Sequence, residues 1–419
     1  MTIPAIKGFN PDLTCRGFQF AEGKSFTHDG PVRVCSSGFH AVTMPLDVLR
    51  YYPPNKSVYH QVELEDVQTH SEDSKVAGKT IRIGARIELP ALIKAQIEFV
   101  FKNSKKVDGA SSTEARTQVG TDIEHGAATV SGYSGAATAS GDYGAATASG
   151  RYGAATASGY SGAATVSGEH GAATASGEHG AATASGEHGA ATASGDYGAA
   201  TASGRYGAAT ASGYSGAATA SGDSGAATAS GYYGAATASG YYGAATASGD
   251  SGAATASGYS GAATASGDYG AATASGYYGA ATASGDSGAA TASGDSGAAT
   301  ASGYYGAATA SGRYGAATAS GYYGAATASG DYGAATASGD SGAATASGYY
   351  GAATASGEKS VALASGYDGR ARGAIGTALF LTERSSDWTI IAAAGVVVDG
   401  AAIKADTWYS LRGGKVVAS

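Results

Sequence analysis

The chain has 419 residues, 69 of them glycine, with 14% charged residues and a formal charge of −8. Glycine at more than twice its usual share excludes an ordinary packed globule over most of the length. The absence of a Gly-X-Y register excludes collagen, and no run of about 18 apolar residues reads as a membrane-spanning helix.

The opening, Met1 to Leu13, lacks a basic stretch followed by an apolar run and a small-residue cleavage site, so cytoplasmic synthesis in a host cell is expected. All seven prolines lie between Pro4 and Pro90, seven of the eight phenylalanines precede residue 102, and both tryptophans lie near the end. Composition therefore predicts three parts: a small α+β domain over 1–110, a repeat region over 111–364 and a β-module over 365–419. Cys15 and Cys35 both fall in the first part and need no redox role in a reducing compartment.

Within the first part, Val32 to His40 reads as a strand entering a turn, and Met44 to Tyr52 reads as a short helix stopped by Pro53-Pro54. Val58–Leu64 and Thr80–Glu88 alternate as strands, and Pro90 opens a helix through Phe101. Cys35 and His40, with His28 or His60 to orient the base, would make a nucleophile and base. Their spacing around a glycine turn fixes no geometry, and core and turn roles explain the same residues, so no catalytic residue is assigned.

From Gly126 to Thr354, Gly-Ala-Ala-Thr recurs every nine residues in 26 copies of the unit G-A-A-T-A-S-G-x-x, with Val130 and Val166 as the sole changes after Thr. Such self-similarity marks a solenoid, whose units bury surface by stacking on their neighbours. The glycines oppose a helix at about 1 kcal/mol each, so each unit reads as a strand, A-A-T-A-S, and a tight turn. Nine residues are short for a closed coil, which favours a parallel β-solenoid (β-helix) with two repeats per 18-residue coil. At roughly 4.8 Å per coil the array would be about 60 Å long, and with one repeat per coil about 125 Å.

Alternation places the second and fourth strand residues, both Ala, on one side and Ala, Thr and Ser on the other. The Ala pair is assigned inward; the opposite assignment, with Thr and Ser bonded internally, stays open. The variable pair after Ser-Gly is Tyr, Asp, Glu or Arg followed by Tyr, Ser or His, and it carries 23 of the 28 tyrosines. Residues this different must face solvent, and stacked tyrosines would form ladders. Candidate contact residues are Thr138, Thr147, Thr156, Tyr143 and Tyr152, together with the corners Tyr233-Gly234 and Tyr242-Gly243.

Three chemistries can be weighed on the array. Calcium-binding nonapeptides need denser Gly-Asp patterning, and Asp fills only nine of the 26 variable sites. Glu169-His170, Glu178-His179 and Glu187-His188 would form a metal ladder only if all three stacked, and a duplicated solvated corner explains them as well. With three arginines against thirteen carboxylates, the array falls far short of the roughly 35 charges that a comparable length of duplex DNA carries. No metal, cofactor, nucleic-acid or membrane role is therefore assigned.

The unit Ser356 to Ala364 replaces Thr with Leu363 and reads as a terminal transition. Thr377–Val398 alternates as strands around Glu383–Asp387, Gly413-Gly414 reads as a hairpin turn, and Trp388, Trp408, Leu379 and Leu381 are expected to form the local core. Open solenoid ends template strand addition, so both flanking modules are expected to act as caps.

Lys7-Gly-Phe, Cys15-Arg-Gly-Phe, Cys35-Ser-Ser-Gly-Phe-His-Ala41, Pro45-Leu-Asp-Val, Tyr51-Tyr-Pro-Pro and Asp73-Ser-Lys-Val-Ala resemble an uncharacterised domain of bacteriophage and prophage proteins, over roughly residues 5 to 105. Asp399 to Val417 is similar to the C-terminal β-module that accompanies it. The repeats resemble, more loosely, those of bacterial ice nucleation proteins, whose period is eight. The resemblance implies a phage or mobile-element origin and supplies no activity. The resulting expectation is a non-enzymatic structural or recognition protein whose rigid rod is a spacer or a multivalent surface for a protein or surface partner, with self-association through tyrosine ladders or solenoid ends. The alternatives are an ice- or ordered-water-binding solenoid working through its Thr/Ser face, and an acidic solenoid that binds or inhibits a host protein.

Overall fold

An A-A-T-A-S strand flanked by glycine corners cannot bury its alanines alone, and the structure shows how they are covered. The computed structural model describes residues 2–34, 36–53, 56–70, 73–103, 105–112 and 118–419. It divides into two units: Met1–Ala220 with Thr228–Ala235, and Ser221–Ala227 with Ala236–Ser419.

In both units strands pair in parallel with the strand 18 residues away, as in Ala145↔Ala163 and Ala262↔Ala280. Two repeats therefore make one coil, and each coil gives one strand to each of two facing sheets. The second and fourth strand residues are buried throughout, for example Ala155 and Ala157 or Ala263 and Ala265, and Thr points outward. The inward assignment of the Ala pair holds, and the alternative with Thr inside does not.

The first unit begins with a seven-stranded antiparallel sheet, in the order Ser25–Thr27, Thr80–Ile87, Val58–Glu65, Ile3–Phe9, Phe39–Val42, Asp73–Gly78 and Gln68–His70. One core cluster joins Ala5, Phe9, Phe20, Val62, Leu64 and Ile81. Alternation sends Ile6 and Val42 into a second cluster with Leu46, Leu49, Leu92 and Ile93. The predicted strand from Val32 starts later, at Phe39, because Arg33 and Ser37 close a tight loop by mutual backbone bonds. The helix from Pro90 is present as Leu89–Asn103.

That helix does not cap an open end. It lies sideways across the strands Ala145–Ser149, Ala163–Ser167, Ala181–Ser185 and Ala199–Ser203. The first alanine of each of these strands is fully buried, and Ala181 and Ala199 belong to the domain's own cluster. On the facing sheet, Ala154, Ala172 and Ala190 hold the same place and are exposed. The expected N-terminal cap is thus a lateral dock, and the ladders begin instead with Lys105–Ser112 and Gln118–Thr121.

In the second unit the coils run past the repeats. Val361–Ala364 pairs with Ala343–Ala346, placing Leu363 opposite Thr345, and Ala378–Arg384 adds a further parallel strand. Both sheets then turn antiparallel, one through Ile390–Val397 and the other through Tyr409–Arg412 and Lys415–Ala418. These closing strands end each parallel ladder, as the C-terminal cap expectation requires. Leu379 and Leu381 are buried as expected. The tryptophans are not core: Trp388 is 46% exposed against Tyr349, and Trp408 is half-buried under Arg370 and Arg372.

Candidate functional site

The corner begins with a glycine that no other residue can replace without displacement. A Cβ on Gly168 would overlap the carbonyl oxygen of Gly150, one coil earlier. Coils are also stitched there by backbone bonds such as Tyr152 N–H to the Tyr133 carbonyl at 3.0 Å. With the backbone held this closely, the two variable side chains project outward and repeat at the coil spacing.

The rings stack as that spacing dictates. Tyr152, His170, His188 and Tyr206 form one column, with centroids 4.9 to 5.0 Å apart and planes within 9°. Tyr241, Tyr259 and Tyr277 form another at 4.9 and 5.4 Å, and Tyr304 stacks on Tyr322 as Tyr305 does on Tyr323. Most of these tyrosines are two-fifths to three-fifths exposed.

Among the candidate contact residues, Thr138 and Thr156 are exposed on one sheet and in register with each other. Thr147 lies on the other sheet beside the docked helix, and its hydroxyl is buried. Tyr143 is half-buried and stacked on His125, whereas Tyr152 and Tyr242 are exposed. Tyr233 is half-buried below the Lys56 ammonium. Gly234 and Gly243 close their corners and are buried, so the contact capacity of those turns lies in Tyr232, Tyr233, Tyr241 and Tyr242.

The three Glu-His pairs do not share one ladder. The 18-residue coil stacks His170 on His188 and sends His179 to the opposite corner, where it is completely buried. Among the described residues no three His, Cys, Asp or Glu side chains gather as a metal site.

In the N-terminal domain, Cys35 lies outside the described residues, and the Cys35/His40 arrangement with it. His60 is buried with Nδ1 at 3.0 Å from the Gly84 carbonyl, and His28 packs edge-on to Phe39. Sequence reasoning missed Lys7, whose side chain is buried and whose Nζ donates to the His40 carbonyl at 2.9 Å. Its signal was available: a lysine inside the apolar run Ala5-Ile6-Lys7-Gly8-Phe9. Cys15 Sγ lies 3.0 Å from Tyr52 Oη, and burial together with the Cys15 contact pushes the Tyr52 hydroxyl far above its ordinary pKa.

Residues 3–95 match the model of a family described as a domain of unknown function (DUF7666). No curated protein and no solved structure matches the chain. No helix among the described residues is long and apolar enough to cross a membrane.

Proposed function

We propose that the chain is a non-enzymatic recognition scaffold of phage or mobile-element origin, whose solenoid presents repeated weak contact sites to a protein or surface partner. The observation that carries this reading is the exposed column Tyr241, Tyr259 and Tyr277, built from the very positions that vary between otherwise invariant repeats. Identical weak sites on a rigid backbone raise effective concentration without any new contact. Retention of the chain on intact bacterial envelopes tests it. Avidity should fall steeply when these three tyrosines become serine, and further as repeats are removed. Equal retention by all variants discards the reading.

Ordered-water binding is the second reading, favoured by the exposed threonine rows that stand in register, such as Thr246 beside Thr264. The scaffold reading expects no thermal hysteresis. Hysteresis that vanishes when Thr210, Thr228 and Thr246 become tyrosine would replace it.

A further inference from the structure

We propose that the C-terminal end of the solenoid is a self-pairing edge, at which a second copy of this chain joins strand to strand. Ile390–Val397 is the outermost strand of its sheet, bonded on one side to Ala378–Arg384 and on the other to no strand among the described residues. From Trp388 to Val398 the chain carries no charge and no proline. Edge strands are ordinarily blunted by lysine, proline or a bulge. The first strand of the same sheet opens on Lys105 and Lys106, and the last strand of the facing sheet opens on Lys415. Ile390–Val397 has only a bulge near its start, after which Ala392 to Val397 pair regularly.

The side chains point to the same surface. Where the repeats carry Thr on the outer face, this end carries larger apolar residues: Leu363 stands opposite Thr345, Phe380 opposite Leu363, and Gly395 opposite Phe380. Phe380 is 45% exposed, Val397 57% and Ile391 61%. Exposed apolar side chains clustered beside an open edge mark a contact surface.

A second copy is the occupant because the edge is complementary to itself. The Val398 N–H donates to the Thr377 carbonyl at 2.9 Å, so alternation turns the N–H and C=O groups of Val397, Gly395 and Ala393 outward. No other described residue bonds them. In an antiparallel pair with its two-fold axis at Ala394, Ala393 of each copy faces Gly395 of the other, and Val397 faces Ile391. Outward groups then meet outward groups, small side chains meet small ones, and the large exposed ones meet each other. The arrangement closes on itself, using one patch twice. It also continues the antiparallel ladder that Ala378–Arg384 and Ile390–Val397 already form. The pairing does not rest on what the tyrosine columns bind.

Sedimentation equilibrium of the full chain tests the assignment. The mass should rise from 40.4 kDa toward twice that, with a Kd on the order of 10 μM. Val397→Lys, at an exposed side chain, and Ala393→Pro, which removes an outward N–H, should each weaken the dimer at least about tenfold with circular dichroism unchanged. If the proline variant fails to fold, the lysine variant still decides. Tyr259→Ser should leave the dimer intact, which separates edge pairing from association through ring columns. Ala394→Cys, whose two copies meet on the axis with Cα atoms about 4.5 Å apart, should form a covalent dimer under mild oxidation faster than the parent chain. A chain that stays monomeric at about 100 μM leaves the edge to another protein's strand and overturns the proposal. So do a dimer indifferent to Val397→Lys, a dimer lost with Tyr259→Ser, or Ala394→Cys crosslinking no faster than the parent.

Discussion

The Nδ1 of His179 lies 3.2 Å from Oδ1 of Asp47, and both side chains are closed to solvent. Asp47 is held by the Ser74 hydroxyl, and His179 stacks on Tyr197 at 5.0 Å. Around this pair Ser161 Oγ donates to Met44 Sδ at 3.1 Å, and Lys56 sits over the Tyr233 ring. One corner of the solenoid has thus turned its variable positions into a seat for the N-terminal domain. Exchanges that would be neutral on the open corner are read here by a packed partner.

Asp47→Ala should therefore destabilise the dock by about 3 kcal/mol, because it removes the buried carboxylate that faces the Nδ1 of His179 and accepts from the Ser74 hydroxyl. Hydrogen exchange should speed up along Leu89–Asn103 more than in the coils of the second unit. His170→Ser, on the open corner, should cost less than about 1 kcal/mol. Equal effects of the two substitutions in chemical denaturation would show that the buried pair holds nothing.

The corner glycine and the residue after it should respond to substitution by very different amounts. Gly258 has a φ of 142°, and a Cβ there would overlap the carbonyl oxygen of Gly240. Gly258→Ala should cost about 3 kcal/mol or more through strain and a broken coil contact. Tyr259→Ala removes one ring between Tyr241 and Tyr277 and should cost about 1 kcal/mol. Urea unfolding of the two variants gives the comparison.

The coil was legible because a nine-residue unit with two glycines leaves too little chain to close alone, and because strand alternation admits only two orientations of A-A-T-A-S. The lateral dock was not legible. Ala172 and Ala181 sit in identical sequence, and only the helix Leu89–Asn103 makes one exposed and the other buried. The 18-residue coil sends His170 and His179 to opposite corners, but only the docked domain makes His179 buried. Trp388 and Trp408 misled for a different reason: aromatic size suggested a core, but their rings cover arginines and Tyr349 at the rim. In the N-terminal domain Lys7 stood out locally, as a lysine inside an apolar run, whereas its bond to the His40 carbonyl joins two segments far apart in the chain.

Acid should loosen the C-terminal hairpin first at its turn. Glu383 accepts the Gly414 and Gly413 N–H groups at 2.8 and 2.9 Å, and these bonds hold its pKa below the ordinary 4.5. A depressed carboxylate pKa stabilises the fold above the unfolded value and loses that contribution as pH falls through the folded one. Exchange protection of the Gly413 and Gly414 amides should hold at neutral pH and decline below about pH 4.5. Glu383→Gln should remove the decline; a variant that keeps it would place the titration elsewhere.

Single-repeat deletions provide the last test, because the two sheets of a coil are built from the same sequence. Removing Ala271–Gly288 takes out one whole coil and keeps every later strand on its own sheet. Removing Ala271–Gly279 takes out half a coil, so every later strand changes sheet. In the second unit both sheets bury the same alanines, as Ala263 and Ala272 show, and both are closed by the same corner bonds, as in Tyr269 N–H to Asp250 carbonyl and Tyr278 N–H to Tyr259 carbonyl. The half-coil deletion is therefore expected to fold, with a melting temperature within a few degrees of the full-coil deletion. Both deletions remove Tyr277, so Tyr259 loses that stacking neighbour in either one, and the cost of about 1 kcal/mol cancels in the comparison. A collapse of cooperativity in the nine-residue deletion alone would show that the sheets are not interchangeable and that a feature beyond the repeat tells them apart.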